Sequence, residues 1–155
     1  MIYSATETPM FIADEMVSLA NVTKDSAVLE PSAGFGNLAF SIREAGGITT
    51  CIDLNERCCE HLRLNGFETY RKDFLKWETN KKFDAIIMCP PKNSVPHVQH
   101  AIKFLKPTGK LVALVREDSK DLDIFSNYYK PIEEDIFHIN NVSVRSGLII
   151  YEAFS

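Results

Sequence analysis

No apolar run in the 155 residues approaches the roughly 20 needed to span a bilayer. Met1 is followed by Ile-Tyr-Ser-Ala-Thr-Glu-Thr-Pro. That stretch has neither a basic flank nor an apolar core, so no signal peptide is read there and the expected location is the cytoplasm. Cysteine is scarce: the four are Cys51, Cys58, Cys59 and Cys89. Two are adjacent and none forms a CxxC spacing, so neither a zinc site nor a disulfide framework is expected. Cys51, Cys58 and Cys59 read as reduced, packed thiols. Positive charge is also short. Seventeen Lys and Arg face 21 Asp and Glu, a formal net charge of -4. That argues against a protein whose main role is to coat nucleic acid, and leaves a local basic patch open. Internal repeats and low-complexity tracts are missing as well. The length favours one domain over residues 1–155, with no separate target-recognition module and a core of useful size.

Strand-like and helix-like segments alternate. Ala27–Glu30 is a short apolar strand. Asn37–Ala45 has helical spacing and stops at Gly46-Gly47. Ile48–Leu54 is β-rich, and Asn55 is placed to cap a helix ending at Gly66. Phe67–Phe74 and Phe83–Met88 read as further strands. Ser94 is placed to cap a helix with Val98, Ala101, Ile102 and Leu105 on one face. Pro107-Thr108-Gly109 reads as a turn before the strand Leu111–Val115. Continuous apolar strands alternating with amphipathic helices imply a parallel sheet covered on both faces. The end differs. After a short helix near Leu122–Tyr129, Ile132–Ile139 and Val144–Phe154 are separated by little more than Asn140-Asn141. That is too little for a crossover, so they should pair as an antiparallel hairpin. The expected fold is α/β: a Rossmann-like doubly wound sheet, mostly parallel, with a C-terminal antiparallel hairpin.

Open parallel sheets bind ligands beyond the carboxyl ends of their strands. The first strand runs into Glu30-Pro31-Ser32-Ala33-Gly34-Phe35-Gly36. Gly34-x-Gly36-x-x-Ala39 matches the glycine pattern of a strand-to-helix ligand loop. Asp53, with Leu54 beside it, ends the second strand at the distance expected of a ribose-binding acid. Singly, Asp53 also reads as a helix cap, Asp73 as a turn residue, and Phe35 and Phe74 as core. Glu30, under the loop, would repel a pyrophosphate and attract an ammonium or sulfonium, which disfavours a dinucleotide oxidoreductase. Asp73 and Phe74 suit the amino group and face of an adenine. An adenosine with a cationic tail describes S-adenosyl-L-methionine.

Glu30–Gly36 resembles the cofactor motif of class I S-adenosylmethionine-dependent methyltransferases, and the chain is most similar to the amino-methylating branch that includes adenine-specific DNA methyltransferases. Glu7-Thr8-Pro9 and the helix Ile12–Ala20 are similar to that branch's N-terminal segment, which contacts the methionine end of the cofactor. Phe83–Lys92 lies where the branch carries its catalytic Asn/Asp-Pro-Pro-aromatic motif. Val95–Lys106 and Pro107–Val112 continue the likeness over nearly the whole chain. It implies the seven-strand methyltransferase fold and a cofactor held by Thr8, Pro9, Glu30 to Gly36, Asp53, Leu54, Asp73, Phe74 and Cys89. It also implies transfer at Cys89, Pro90, Pro91 and Lys92, and a nucleic-acid substrate, DNA favoured. A protein partner would supply target recognition. Small stand-alone relatives of this kind look like phage products.

The motif carries two departures. Cys89 stands where the family has Asn or Asp, and Lys92 where it has an aromatic. A neutral thiol is a poor acceptor. A thiolate would serve better, and would need a cationic neighbour such as Lys92. Losing one preorganised group in an active site costs about 10²–10³ in rate. A second function class therefore stands beside the enzyme: a cofactor-binding homologue acting as a regulatory or partner subunit. A nucleophilic Cys89, as in pyrimidine C5 methylation, is disfavoured because there the proline precedes the cysteine. Lys92 reads equally as a substrate contact or a solvated charge. His97 and His100 read as a polar helix face, with no third metal ligand near in sequence, and Lys76-Trp77 with Lys81-Lys82 as a small basic, aromatic cluster, read as a solvated loop ahead of a nucleic-acid contact.

Overall fold

The computed structural model describes residues 7–139 and 142–153. Its elements are α1 (Met10–Leu19), β1 (Ala27–Glu30), α2 (Asn37–Glu44), β2 (Ile48–Asp53), α3 (Glu56–Leu64), β3 (Glu68–Arg71), β4 (Phe83–Met88), α4 (Ser94–Ile102), β5 (Leu105–Arg116), β6 (Tyr129–Ile139) and β7 (Val142–Glu152). One seven-stranded sheet has the order β3-β2-β1-β4-β5-β7-β6. β1 to β5 are mutually parallel, and β7 enters antiparallel between β5 and β6. This is the α/β architecture expected, with the hairpin in place. Its turn at Asn140 and Asn141, and Phe154, lie outside the described residues.

Strand alternation sorts the core into two faces. Val28, Ala85, Ile87, Val112 and Leu114 meet Ile12 and Met16 of α1 and Leu38 and Ile42 of α2. Leu29, Ile52, Ile86, Met88, Leu111 and Ala113 point the other way, toward Val95, Val98 and Ala101 of α4 and the rings of Phe74 and Phe104. Each large side chain buried this way contributes about 1.5–3 kcal/mol. The reversal of strand order lies between β1 and β4, whose carboxyl ends sit side by side. The glycine loop follows one and Cys89-Pro90-Pro91-Lys92 follows the other.

Helix ends follow local chemistry. The Asn55 side chain accepts from the Cys58 N–H at 3.1 Å, and Gly66, with φ +85°, lies just beyond the end of α3. Five local expectations change. Leu105 opens β5 rather than lining α4, which ends at Ile102. The third strand ends at Arg71, because the Asp73 carboxylate accepts from Leu75 N–H at 3.0 Å and starts a 3-10 turn, Phe74–Lys76. Ser94 does not cap α4; Asn93 holds that position, and Ser94 is the first helical residue. Pro107-Thr108-Gly109 does not precede the fifth strand but bulges within it, where the register jumps from Phe83↔Leu105 to Ala85↔Lys110. The two histidines are packing groups rather than a polar face. His100 Nε2 lies 2.9 Å from the Trp77 carbonyl, and the His97 ring stacks on Phe74 at 6.4 Å between centroids.

Candidate active site

The loop after β1 is built around two glycines in the left-handed region, Gly34 at φ +55° and Gly36 at φ +104°. An L side chain is strained at either position. The space around Gly34 is also taken: a Cβ there would come within 2.5 Å of Glu7 Oε2.

Every N–H from Ser32 to Asn37 has a partner within the chain. Ser32 donates to Glu30 Oε1 at 2.9 Å, Gly34 to Asp53 Oδ2 at 2.8 Å, Phe35 to Glu7 Oε2 at 3.1 Å and Asn37 to Glu7 Oε1 at 3.2 Å. Ala33 donates to the Ile52 carbonyl and Gly36 to the Ala33 carbonyl, each at 3.0 Å. Three carboxylates thus take four of the six donors. A loop of this shape ordinarily offers those donors to a phosphate. Here the chain's own acids hold them, and the rim is anionic.

The acids differ in exposure. Glu30 is 1% exposed. Burial pushes its pKa well above the usual carboxylate range, Asp53 and Glu7 push the same way, and the Ser32 N–H partly opposes them. Asp53 is half-buried at the end of β2. Its second oxygen accepts from Asn55 N–H at 2.8 Å, so it braces the loop and is not the cap of α3. Glu7 stands on the outer side of the loop, and the segment it belongs to is tied down by Asn37 Nδ2 donating to the Thr8 carbonyl at 2.9 Å. Pro9 follows as the N-cap of α1.

The apolar surface of this edge is not where the sequence placed it. Phe74 is 3% exposed, with its ring among His97, His100, Trp77 and Phe104. The 3-10 turn carries it inward, and it presents no open face for a base. Leu54, 62% exposed, and Phe35, 47% exposed, supply apolar surface instead. Asp73 remains half-buried, at the head of the turn.

The corner after β4 is held from behind. Ser119 Oγ donates to the Lys92 carbonyl at 2.7 Å, Ser94 Oγ to Ser119 Oγ at 3.1 Å, and Ser94 N–H to the same carbonyl at 2.9 Å. Pro90 is buried and Pro91 exposed, so the double proline has one anchored and one open side. Burial pushes the Cys89 thiol up to about 12, against a hydrogen bond with the Thr8 side chain, and Glu30 and Glu7 add to the rise. Cys89 is therefore a neutral thiol at physiological pH. Lys92 does not activate it: its Nζ lies 3.8 Å from Asp118 Oδ2 with the side chain 63% exposed. Asp118 is itself gripped by Arg116 at 2.9 and 2.7 Å.

Asp118 and Ser119 belong to this geometry and escaped the sequence reading, and Glu7, read there only as part of the segment Glu7-Thr8-Pro9, was not read as a partner of the loop. Glu7 carries a faint signal, an acid just before Thr-Pro. Ser119 carries none, because it meets the corner from 27 residues away.

No family model matches the chain. Solved structures do share its fold. An rRNA methylase from Streptococcus thermophilus aligns at TM-score 0.67 and 15% identity, over 96% of this chain and 98% of that one. An N-methyltransferase, NodS, from Bradyrhizobium japonicum WM9 aligns at 0.72 and 14%, over 94% and 96%. A SAM-dependent O-methyltransferase from Thermotoga maritima aligns at 0.72 and 12%, over 97% and 68%. At these identities the likeness establishes a fold common among methyltransferases. The described acceptors of the three proteins already differ, so the fold by itself names no substrate.

Proposed function

We propose that this chain is an S-adenosylmethionine-dependent methyltransferase acting on an exocyclic amine of a nucleic-acid base, adenine N6 in DNA by resemblance. The observation that carries the reading is the donor accounting of the glycine loop. With all six N–H groups paired, four of them to Glu7, Glu30 and Asp53, the loop has no donor to offer a pyrophosphate. What it offers is acceptor capacity and negative charge. Each carboxylate oxygen has lone pairs beyond the one it uses. Ribose hydroxyls suit Asp53, and an ammonium suits Glu30 and Glu7. Thr8 and Pro9 close the same edge from outside, the backbone of Pro31, Ser32, Ala33 and Phe35 forms its rim, and Leu54 and Asp73 stand where an adenine would lie. The bound cofactor supplies a methyl group activated by a sulfonium.

The chain's own groups do the rest. Burial holds the Glu30 pKa well above the usual carboxylate range; a cation brought beside it opposes that shift, so binding and protonation are linked. The corner is fixed by proline rings and by Ser119, so its backbone carbonyls keep their direction without reorganising. They accept from the target amine and stabilise the positive charge that grows on its nitrogen. Cys89, neutral and bonded with Thr8, adds little acceptor strength. A rate about 10²–10³ below that of an Asn-bearing corner is expected. Neighbours described as RNA methylases support a nucleic-acid substrate, and no observation among the described residues favours the partner-subunit reading.

Calorimetric titration with S-adenosylmethionine, its demethylated product and NAD tests the first half. Tighter binding of NAD sinks the reading. Labelled methyl transfer to RNA, single-stranded DNA and duplex DNA tests the second. With cofactor shown to be bound, transfer to none of the three rejects the nucleic-acid assignment.

A further inference from the structure

Charge is divided along this chain far more sharply than its net of -4 conveys. Residues 71–116 hold ten Lys and Arg against only Asp73, Glu78 and Asp84, a net of +7. Residues 1–70 carry -6 and residues 117–155 carry -5. No acid occurs between Asp84 and Glu117, a stretch that includes the corner, α4 and β5. The division is also spatial. The basic stretch supplies the 3-10 turn and α4, which cover one face of the sheet, while α1 and α2 cover the other.

Six of the ten cations have acidic partners: Arg71 with Glu56, Lys92 and Arg116 with Asp118, Lys103 with Glu78, Lys106 with Asp84 and Lys110 with Glu152. Among the described residues, Lys72, Lys76, Lys81 and Lys82 have no acid within ion-pair distance. All four are exposed, and all belong to the connection from β3 to β4. Tyr70, near the end of β3, is exposed at 41%, and Leu75, on the connection, at 42%. Trp77 and Phe74 anchor it to α4 through Phe104, His97 and His100, and α4 begins directly after Lys92.

We infer that the β3–β4 connection is a docking surface for the phosphodiester backbone of a nucleic-acid strand, with Lys72, Lys76, Lys81 and Lys82 as its phosphate contacts. Charge complementarity carries the assignment. Exposed cations without an acidic partner, spread along one connection of an otherwise acidic protein, attract a polyanion; Lys82 Nζ rests on the Lys103 carbonyl at 2.6 Å and Lys81 over the Phe83 ring, and neither contact neutralises the charge. Lys72 follows β3 at the carboxyl edge of the sheet and Lys82 precedes β4 at the amino edge, so a strand held by both runs along this side of the sheet. The exposed Tyr70 ring gives an unpaired base a surface to stack on. The purpose of the surface rests on the methyl-transfer reading; the surface itself does not.

The test is fluorescence anisotropy of labelled 20-residue RNA, single-stranded DNA and duplex DNA across a salt series. Four phosphate contacts give a slope of log affinity against log salt of about -3. Lys76→Ala, Lys81→Ala and Lys82→Ala should each flatten it by about one. The triple variant should bind at least tenfold more weakly at low salt and keep its calorimetric affinity for S-adenosylmethionine. The triple arginine variant, which keeps the charge, should bind like the wild type. Lys24→Ala and Lys120→Ala, on the acidic portions, should change nothing. Binding that survives the triple alanine substitution, or falls equally in the two controls, overturns the surface. So does equal lysine-dependent binding to vesicles of anionic lipid, which would make it a generic polyanion site. Strand binding without cofactor binding keeps the surface and removes the enzyme; cofactor binding without strand binding does the reverse.

Discussion

Gly34→Ala is the most direct challenge to the acid-filled loop. Two effects add. The backbone sits at φ +55°, where a Cβ costs about 1 kcal/mol or slightly more. The new methyl would also meet Glu7 Oε2 at 2.5 Å, so the carboxylate must withdraw and release Phe35 N–H and Asn37 N–H. Both bonds are partly open to solvent, and about 1 kcal/mol each is a fair allowance. The sum is about 3 kcal/mol, which for a chain of this size lowers the thermal midpoint by about 6–12 °C. Glu7→Ala removes the same two bonds without touching the backbone and should cost about 2 kcal/mol. In that background Gly34→Ala meets no carboxylate and should cost only about 1 kcal/mol. Urea unfolding of the four proteins closes the cycle, with an expected coupling of about 2 kcal/mol. Costs that add to within about 0.5 kcal/mol would mean that Glu7 does not lie over the loop, and the accounting that excludes a pyrophosphate would fail with it.

Glu30→Gln should separate stability from binding. A carboxyl whose folded pKa is raised above its ordinary 4.5 stabilises fully below that pH and loses the contribution as pH climbs toward the folded value. The glutamine variant should therefore match the wild type near pH 4 and unfold at a higher temperature at pH 7. It should also bind S-adenosylmethionine about 10–100-fold more weakly, the equivalent of one lost bond to a charged group. Cys89, pushed up to about 12, should alkylate slowly, with a rate still climbing at pH 9 by site-resolved mass spectrometry; a plateau below pH 8 would reveal a thiolate. Cys89→Asn should raise methyl transfer at least tenfold, and no gain in rate would show that the backbone carbonyls already suffice. Ser119→Ala leaves a buried Ser94 hydroxyl without its partner and frees one bond on the Lys92 carbonyl. It should cost about 1–3 kcal/mol and speed hydrogen exchange at Ser94.

What could be read from the chain, and what could not, divides by the range of the interaction. The parallel strands announced themselves through runs such as Phe83–Met88, and the hairpin through the shortness of its connection. Asn55 capped its helix as a local bond should; Asp53 read as a ribose-binding acid by its spacing, and nothing in that spacing told of its bond from the Gly34 N–H. Ser94 read as a cap on the same local rule, but its hydroxyl is drawn 25 residues away to Ser119. Phe74 read both as core and as a face for an adenine, because nothing in its own neighbourhood reveals the histidines and Phe104 that enclose it. Lys92 was a plausible partner for Cys89 by proximity in sequence, and lost that role to Asp118, which arrives from the far end of β5. The charge division was visible in the residues throughout; the structure adds that the 3-10 turn and α4, from the basic stretch, pack on the same face of the sheet.

The place of β7 has a consequence for how the protein comes to exist. β6 pairs with β7 alone, and β7 pairs with both β6 and β5. A chain emerging from the ribosome can zip β1 to β5 as they appear, but β6 has no strand to bond until the last one is made. During that interval the apolar flank of β5, from Leu111 to Val115, is an open ladder of unpaired amides, of the kind that recruits a foreign strand. Nascent protein is thus most prone to cross-pair between the synthesis of β5 and that of β7. A premature stop after about residue 141 would leave both edges bare, a burden for the cell's quality control rather than a smaller working protein.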